Sequence, residues 1–167
     1  MDYKKLLKST KNKENLSITL KRSEQKGVGV YATKTIKKGD LIAYYKCQVF
    51  REKGYESPTD RVYTFIVYRK NGEDYKRLIG DLYEGSFPEP IDNIPFWAPF
   101  VNEPSQNQRV NSDIDIDLKA NYQGRTYLTP GDTVVYKLVA TRMIRKGEEI
   151  LWYYGPNYPR NYKVGKH

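Results

Sequence analysis

No stretch of this chain sustains a helical repeat, whereas short runs of β-branched and aromatic residues recur along it, each cut off by turn residues. Leu41-Ile42-Ala43-Tyr44-Tyr45 is a short run of the buried type. Val62 to Tyr68 is rich in β-branched and aromatic residues, and Asn71-Gly72 then precedes Asp74 to Ile79. Asn-Gly between two such runs is a hairpin signal, because both residues tolerate the positive φ that a tight two-residue turn demands. Asp113-Ile114-Asp115-Ile116-Asp117-Leu118 alternates strictly, as a strand with one wet face must. Pro130-Gly131-Asp132 forms a turn into another strand, Thr133 to Val139. Residues 81–99 carry five prolines and glycines and read as a loop-rich connection. The expected fold class is mostly β, with one or two short helical turns. No internal repeat or low-complexity linker is visible.

At 167 residues the chain is long enough to bury a core, and one domain is expected. Residues 17–167 read as that domain, ending in a short aromatic tail, with residues 1–16 as a basic lead-in. No apolar run approaches the roughly 20 residues of a membrane helix. The lysines near the N-terminus lack the apolar stretch of a secretion signal. A lone cysteine, Cys47, cannot form an internal disulfide, so an intracellular, reducing compartment is expected, nucleus and cytoplasm not being distinguished. The net charge of +9 is uneven: residues 1–38 hold 11 Lys/Arg against 3 Asp/Glu, whereas the remainder is nearly balanced. The basic N-terminal segment is thus either a solvated lead-in or a weak contact for nucleic-acid phosphates.

The single histidine is His167, the last residue. A Ser-His-Asp triad, a Cys-His pair and a zinc site built on His or Cys are therefore excluded, and no metal is expected. Chemistry, where present, falls to tyrosines, carboxylates, lysines or backbone groups. Three motifs stand out. Lys26-Gly27-Val28-Gly29-Val30 lets a backbone approach a ligand closely, although it has neither the third glycine nor the following helix of a dinucleotide fingerprint. Asn102-Glu103-Pro104-Ser105 is either a turn or an amide held over a ligand. Gly147 to Gly155 ends in Trp152-Tyr153-Tyr154-Gly155. These aromatics suit a core strand, but a buried tyrosine hydroxyl beside a glycine needs a partner.

Taken in order, the three motifs resemble those of the SET domain, the fold of protein-lysine methyltransferases. The family's glycine pair, Ile-x-x-Gly turn and Tyr-bearing strand correspond to Lys26–Ala32, Ile36–Gly39 and Asp40–Tyr45. Its central Asn-His motif corresponds to Ala98–Ser105, preceded by Ile91-Asp92. Its closing Gly-Glu-Glu and Tyr-Gly correspond to Gly147–Ile150 and Tyr154-Gly155. The match spans residues 17 to 158, approximately. The resemblance implies small curved sheets with a C-terminal pseudoknot, the closing segment passing through the loop that carries Asn102. It implies S-adenosyl-L-methionine as cofactor and a protein lysine as substrate, on a histone tail in some relatives. By position, Lys26, Gly27, Val28, Gly29, Asn102 and Glu103 would hold the cofactor, and Tyr158 would cover it. Tyr45, Trp152 and Tyr154 would line the lysine channel, with Tyr154 and Tyr45 as the catalytic tyrosines. Methyl transfer from a sulfonium needs alignment and a neutral amine rather than a metal or histidine, which suits the inventory.

The departures are specific. Glu103 stands where the family usually has histidine, and Pro99 where it has arginine. Gln106 to Val110 lengthens the link before Asn111, the counterpart of the family's second asparagine. Trp152 occupies a position, usually Phe or Tyr, that influences how many methyl groups are added. It lacks a hydroxyl to hold water but is bulkier, so the degree of methylation stays open. Loss of the histidine at Glu103 also admits an inactive SET-like module that binds chromatin or another protein. A β-barrel using aromatic platforms to bind nucleic acid is a third reading, which leaves the ordered motifs as coincidence.

Overall fold

The computed structural model describes residues 2–23, 25–68, 74–115 and 128–167. They fall into two compact units. The first comprises Met1–Tyr44, Glu89–Asp115 and Lys137–His167; the second comprises Tyr45–Pro88 and Ile116–Tyr136.

In the first unit, helix α1 (Tyr3–Ser9) begins at Asp2, whose carboxylate accepts from the amides of Lys4 and Lys5. The lead-in thus carries a capped helical turn. Strands β1 (Ile18–Ser23) and β2 (Gly27–Ala32) pair antiparallel, from Ile18↔Ala32 to Ser23↔Gly27. Gly27 has φ +74°, which a side chain would strain. The ribbon buries Ile18, Leu20, Val30 and Ala32.

A correspondence missed in the sequence appears next. The turns Ile36-Lys37-Lys38-Gly39 and Ile144-Arg145-Lys146-Gly147 bond reciprocally. The Ile36 and Ile144 amides each donate to the other's carbonyl at 2.8 Å. Gly39 N donates to Ala140 O and Gly147 N to Ala32 O, both at 2.8 Å. Ala140 N and Ala32 N return bonds to Asp40 O and Glu148 O, both at 2.9 Å. Each turn is closed by its own acid, Lys37 N on Asp40 and Arg145 N on Glu148. The chain therefore does contain a short internal repeat, related by a local two-fold. The two copies, residues 32–40 and 140–148, share Ala-Thr, a basic residue, Ile, a basic pair, Gly and a closing acid, but so short a match between distant segments gains meaning only when the fold pairs them.

The closing segment runs between two parts of the central loop. Trp152 N donates to Asn102 O at 3.1 Å, and Leu151 N donates to Asn111 Oδ1 at 2.8 Å. Successive amides of an extended chain point to opposite sides. Asn102 and Asn111 therefore grip opposite edges of residues 151–152. The last residues add to the same loop: Ser105 bridges Val164, and Arg109 bridges Lys166. Gly165 has no room for a side chain there, because a Cβ would strike the carbonyl oxygens of Ser105 and Gln108. Strand β6 (Ser112–Asp115) pairs with the end of β7 (Thr133–Ala140), from Ser112↔Ala140 to Asp115↔Lys137. The rest of the alternating run, Ile116 to Leu118, lies outside the described residues.

In the second unit, the later part of β3 (Leu41–Arg51) pairs with β5 (Asp74–Asp81) in register Gln48↔Asp81 to Arg51↔Leu78. β5 also pairs with β4 (Phe65–Tyr68), antiparallel as the hairpin reading requires; Asn71-Gly72 itself lies outside the described residues. Cys47, Val49, Val67 and Val134 are fully buried. Burial pushes the Cys47 thiol well up, and the Asp81 carboxylate adds to this, so Cys47 is an inert core residue. Asp81, itself buried, accepts from Tyr55 Oη at 2.8 Å, Ser57 Oγ at 2.7 Å and Leu82 N at 2.8 Å, pinning the loop after β3. The mostly β class is thus observed.

Candidate active site

The site in the first unit grows from β2. A Cβ at Gly29 would lie 2.8 Å from Glu149 Oε2 and 3.0 Å from Asn102 Nδ2, whereas one at Gly27 would meet nothing within 4 Å. Gly29 thus lets two polar side chains close on the ribbon, and Gly27 leaves its own face open. Asn102 Nδ2 donates to Val28 O and Glu149 Oε2, both at 3.0 Å. The assigned amide orientation leaves Asn102 Oδ1 as an acceptor without a donor among the described residues. Lys26 Nζ donates to Glu103 O at 2.9 Å and Gln108 Oε1 at 2.7 Å, and lies 3.8 Å from Glu149 Oε1. Burial lowers the Lys26 pKa, with Glu149 opposing the shift. The ammonium of Lys26 thus ties the ribbon to the central loop, which leaves its backbone to face a ligand.

The closing segment places its aromatics one residue from Asn102. Tyr154 Oη donates to Val101 O at 2.6 Å. The Trp152 ring meets Tyr154 edge-on at 5.1 Å, and Tyr158 meets it edge-on at 4.7 Å. Trp152 Nε1 is buried and has no hydrogen-bond partner among the described residues. A buried orphan donor costs about 1–3 kcal/mol. Tyr153, without a function in the sequence reading, stacks on His167 at 3.7 Å. The lone histidine is therefore a packing partner of the tail.

Glu103 organises that tail. Its side chain is only 1% exposed, yet it accepts from Tyr154 N (2.9 Å), Arg160 Nε (3.0 Å), Arg160 Nη2 (2.6 Å) and Tyr162 Oη (2.7 Å). Burial alone would raise its pKa. The bonds from Arg160, Tyr162 and the Tyr154 amide outweigh that and hold the carboxyl below the usual range. Arg160 also donates to Gly155 O at 2.8 Å, and its guanidinium lies over the rings of Tyr153 and Tyr158 at 5.4 and 5.5 Å. Burial and the Glu103 charge push the Tyr158 hydroxyl up, and burial with the bond to Glu103 does the same at Tyr162, so both are neutral donors at physiological pH.

Lys26, Gly27, Val28, Gly29, Asn102, Glu103, Trp152, Tyr154 and Tyr158 all belong to the first unit. Tyr45 belongs to the second, where its hydroxyl donates to Tyr63 O at 2.9 Å and its ring meets Phe65 edge-on. Sequence reasoning missed Glu149 and Arg160. Glu149 was visible only as part of Gly-Glu-Glu, and Arg160 as the one cation within the aromatic stretch 155–162. Among the described residues no cluster of His, Cys, Asp and Glu could hold a metal.

A family model described as the SET domain matches residues 27–155. No curated protein matches the chain by sequence. Among solved structures, a candidate histone methyltransferase from Plasmodium falciparum is similar at TM-score 0.51 and 18% identity, covering 86% of this chain and 96% of that one. The methyltransferase domain of human PR domain-containing protein 2 is similar at TM-score 0.50 and 21% identity, covering 93% and 86%. A humanized mutant of the Chaetomium thermophilum Polycomb Repressive Complex 2 is similar at TM-score 0.53 and 17% identity, covering 87% of this chain and 16% of that one. At these identities the structures speak to fold alone, while the family match covers most of the chain and both ends of the site. The chain belongs to the SET-domain family.

Proposed function

We propose that this protein transfers a methyl group from S-adenosyl-L-methionine to the ε-amino group of a protein lysine. The observation that carries the reading is a juxtaposition on adjacent residues. Val101 O receives the Tyr154 hydroxyl at 2.6 Å, while Asn102 presents its amide against Val28 and Glu149. A tyrosine of the lysine end and an asparagine of the cofactor end are thereby held by one short stretch of backbone.

The residues fit such a cofactor. It is cationic at both its sulfonium and its ammonium, and the pocket offers Asn102 Oδ1 as an acceptor with the Glu149 carboxylate behind it. The open face at Gly27 admits close backbone approach. When bound, S-adenosylmethionine supplies an electrophilic methyl group. The protein's part is to present the amine neutral, aligned and dry. With its proton committed to Val101 O, the Tyr154 oxygen acts as an acceptor, the role needed to hold an amine N–H. Trp152 and Tyr158 pack edge-on against Tyr154, which remains half-buried, and cover part of its ring. A free lysine has a pKa of about 10.4; a desolvated pocket lowers it toward neutrality and releases the lone pair. The candidate histone methyltransferase among the structural relatives makes a histone tail the first substrate to test.

Calorimetric titration with S-adenosylmethionine tests the reading. Wild type and Tyr154→Phe bind alike, and Asn102→Ala binds at least tenfold more weakly. Absence of binding by wild type would restore the reading of an inactive module.

A further inference from the structure

The two reciprocal turns do more than close the fold. They bring together basic residues that are remote in sequence: Lys34, Lys37 and Lys38 from one, and Arg142, Arg145 and Lys146 from the other. The same six hydrogen bonds that relate the turns hold the backbone that carries these residues around one bridge, Ile36↔Ile144. Both isoleucines are buried, so the cations stand on a rigid base. Lys34, Lys37, Lys38, Arg145 and Lys146 are exposed. Among the described residues none of these five forms an ion pair; Arg142 alone does, with Glu148 at 3.4 Å. The acids of the turns, Asp40 and Glu148, are occupied in capping the amides of Lys37 and Arg145. Six cations against these two carboxylates leave the patch with a net positive field, and five of the cations have no ion-pair partner among the described residues.

We propose that this two-turn patch binds the phosphodiester backbone of double-stranded nucleic acid. Its chemistry selects that partner. Met143 is the one large apolar side chain exposed on the turns, so they lack the apolar face that inserts into a bilayer. They carry no aromatic ring on which unpaired bases could stack. Unpaired cations repeated about a two-fold instead match a regularly spaced row of phosphates, read without regard to sequence. The contact is therefore made by the body of the domain rather than by the lead-in of residues 1–16, and it is independent of the methyl-transfer reading.

The test is fluorescence anisotropy of the full chain with two labelled 20-base-pair DNA duplexes of unrelated sequence, between about 50 and 200 mM salt. Wild type binds both alike and loses affinity as salt rises. The variant Lys37→Gln/Lys38→Gln/Arg145→Gln/Lys146→Gln lowers the magnitude of the log–log salt slope by about 3–4, at roughly 0.9 per phosphate contact. Lys37→Gln/Arg145→Gln, one residue from each turn, lowers it by about half as much and serves should the fourfold variant fail to fold. Lys4→Gln/Lys5→Gln/Lys8→Gln/Lys11→Gln removes equal charge from the lead-in and changes the slope by less than one. An equal loss in that lead-in variant, no duplex binding by wild type, or tighter binding to anionic vesicles or a polyglutamate peptide than to DNA would each overturn the proposal.

Discussion

At the scale of single residues, the site is governed by which polar atoms are satisfied internally. Tyr154→Phe removes the 2.6 Å bond to a buried carbonyl. It should cost about 1–2 kcal/mol of stability, keep cofactor affinity and lose most turnover, as melting, calorimetry and a methyl-transfer assay would show. Glu103 makes a prediction that also tests the departure from the family. Glu103→Gln removes the charge of a buried pair with Arg160 and should destabilise by about 3 kcal/mol. Because the folded carboxyl lies below its ordinary value, its stabilisation is complete above the unfolded pKa and disappears as pH falls through the folded one. Chemical denaturation across the acid range should therefore show wild type converging on the Gln variant as pH falls; a constant gap would contradict the assignment. Residue type and order alone marked Asn102 and Tyr154. The fourfold bonding of Glu103 was not legible, because its partners Arg160 and Tyr162 reach it from a tail whose path is set by tertiary packing.

At the scale of elements, the closing segment depends on being gripped from both sides. Asn111 is 1% exposed, donates to Glu149 O and accepts from Leu151 N, both at 2.8 Å. Asn111→Ala would orphan two buried backbone groups and should cost about 3 kcal/mol, measurable as a lowered denaturation midpoint. Gly29→Ala would force a Cβ to 2.8 Å from Glu149 Oε2, displacing Glu149 and Asn102 together. Weakened S-adenosylmethionine binding with retained folding is the expected outcome, read by calorimetry. The strands themselves were legible: β-branched runs and turn residues marked β3, β4, β5 and β7. The two-turn repeat was present in sequence, at residues 32–40 and 140–148, but so short a match between distant segments acquired meaning only once reciprocal backbone bonds paired them.

At the scale of the whole molecule, the charge asymmetry and the family assignment carry the account. The excess of lysine before residue 39 was plain from composition, but its partnership with Arg142, Arg145 and Lys146 required the fold. Among the described residues no helix is long and apolar enough to cross a membrane. The central claim is that this SET domain methylates lysine through Tyr154. The most direct measurement is incubation of wild type and Tyr154→Phe with labelled S-adenosylmethionine and a histone panel, followed by mass spectrometry. Label on lysine ε-nitrogen with wild type, and at least tenfold less with Tyr154→Phe, is the predicted result; equal labelling by the two proteins, or none by wild type across histones and cell extract, would contradict the account.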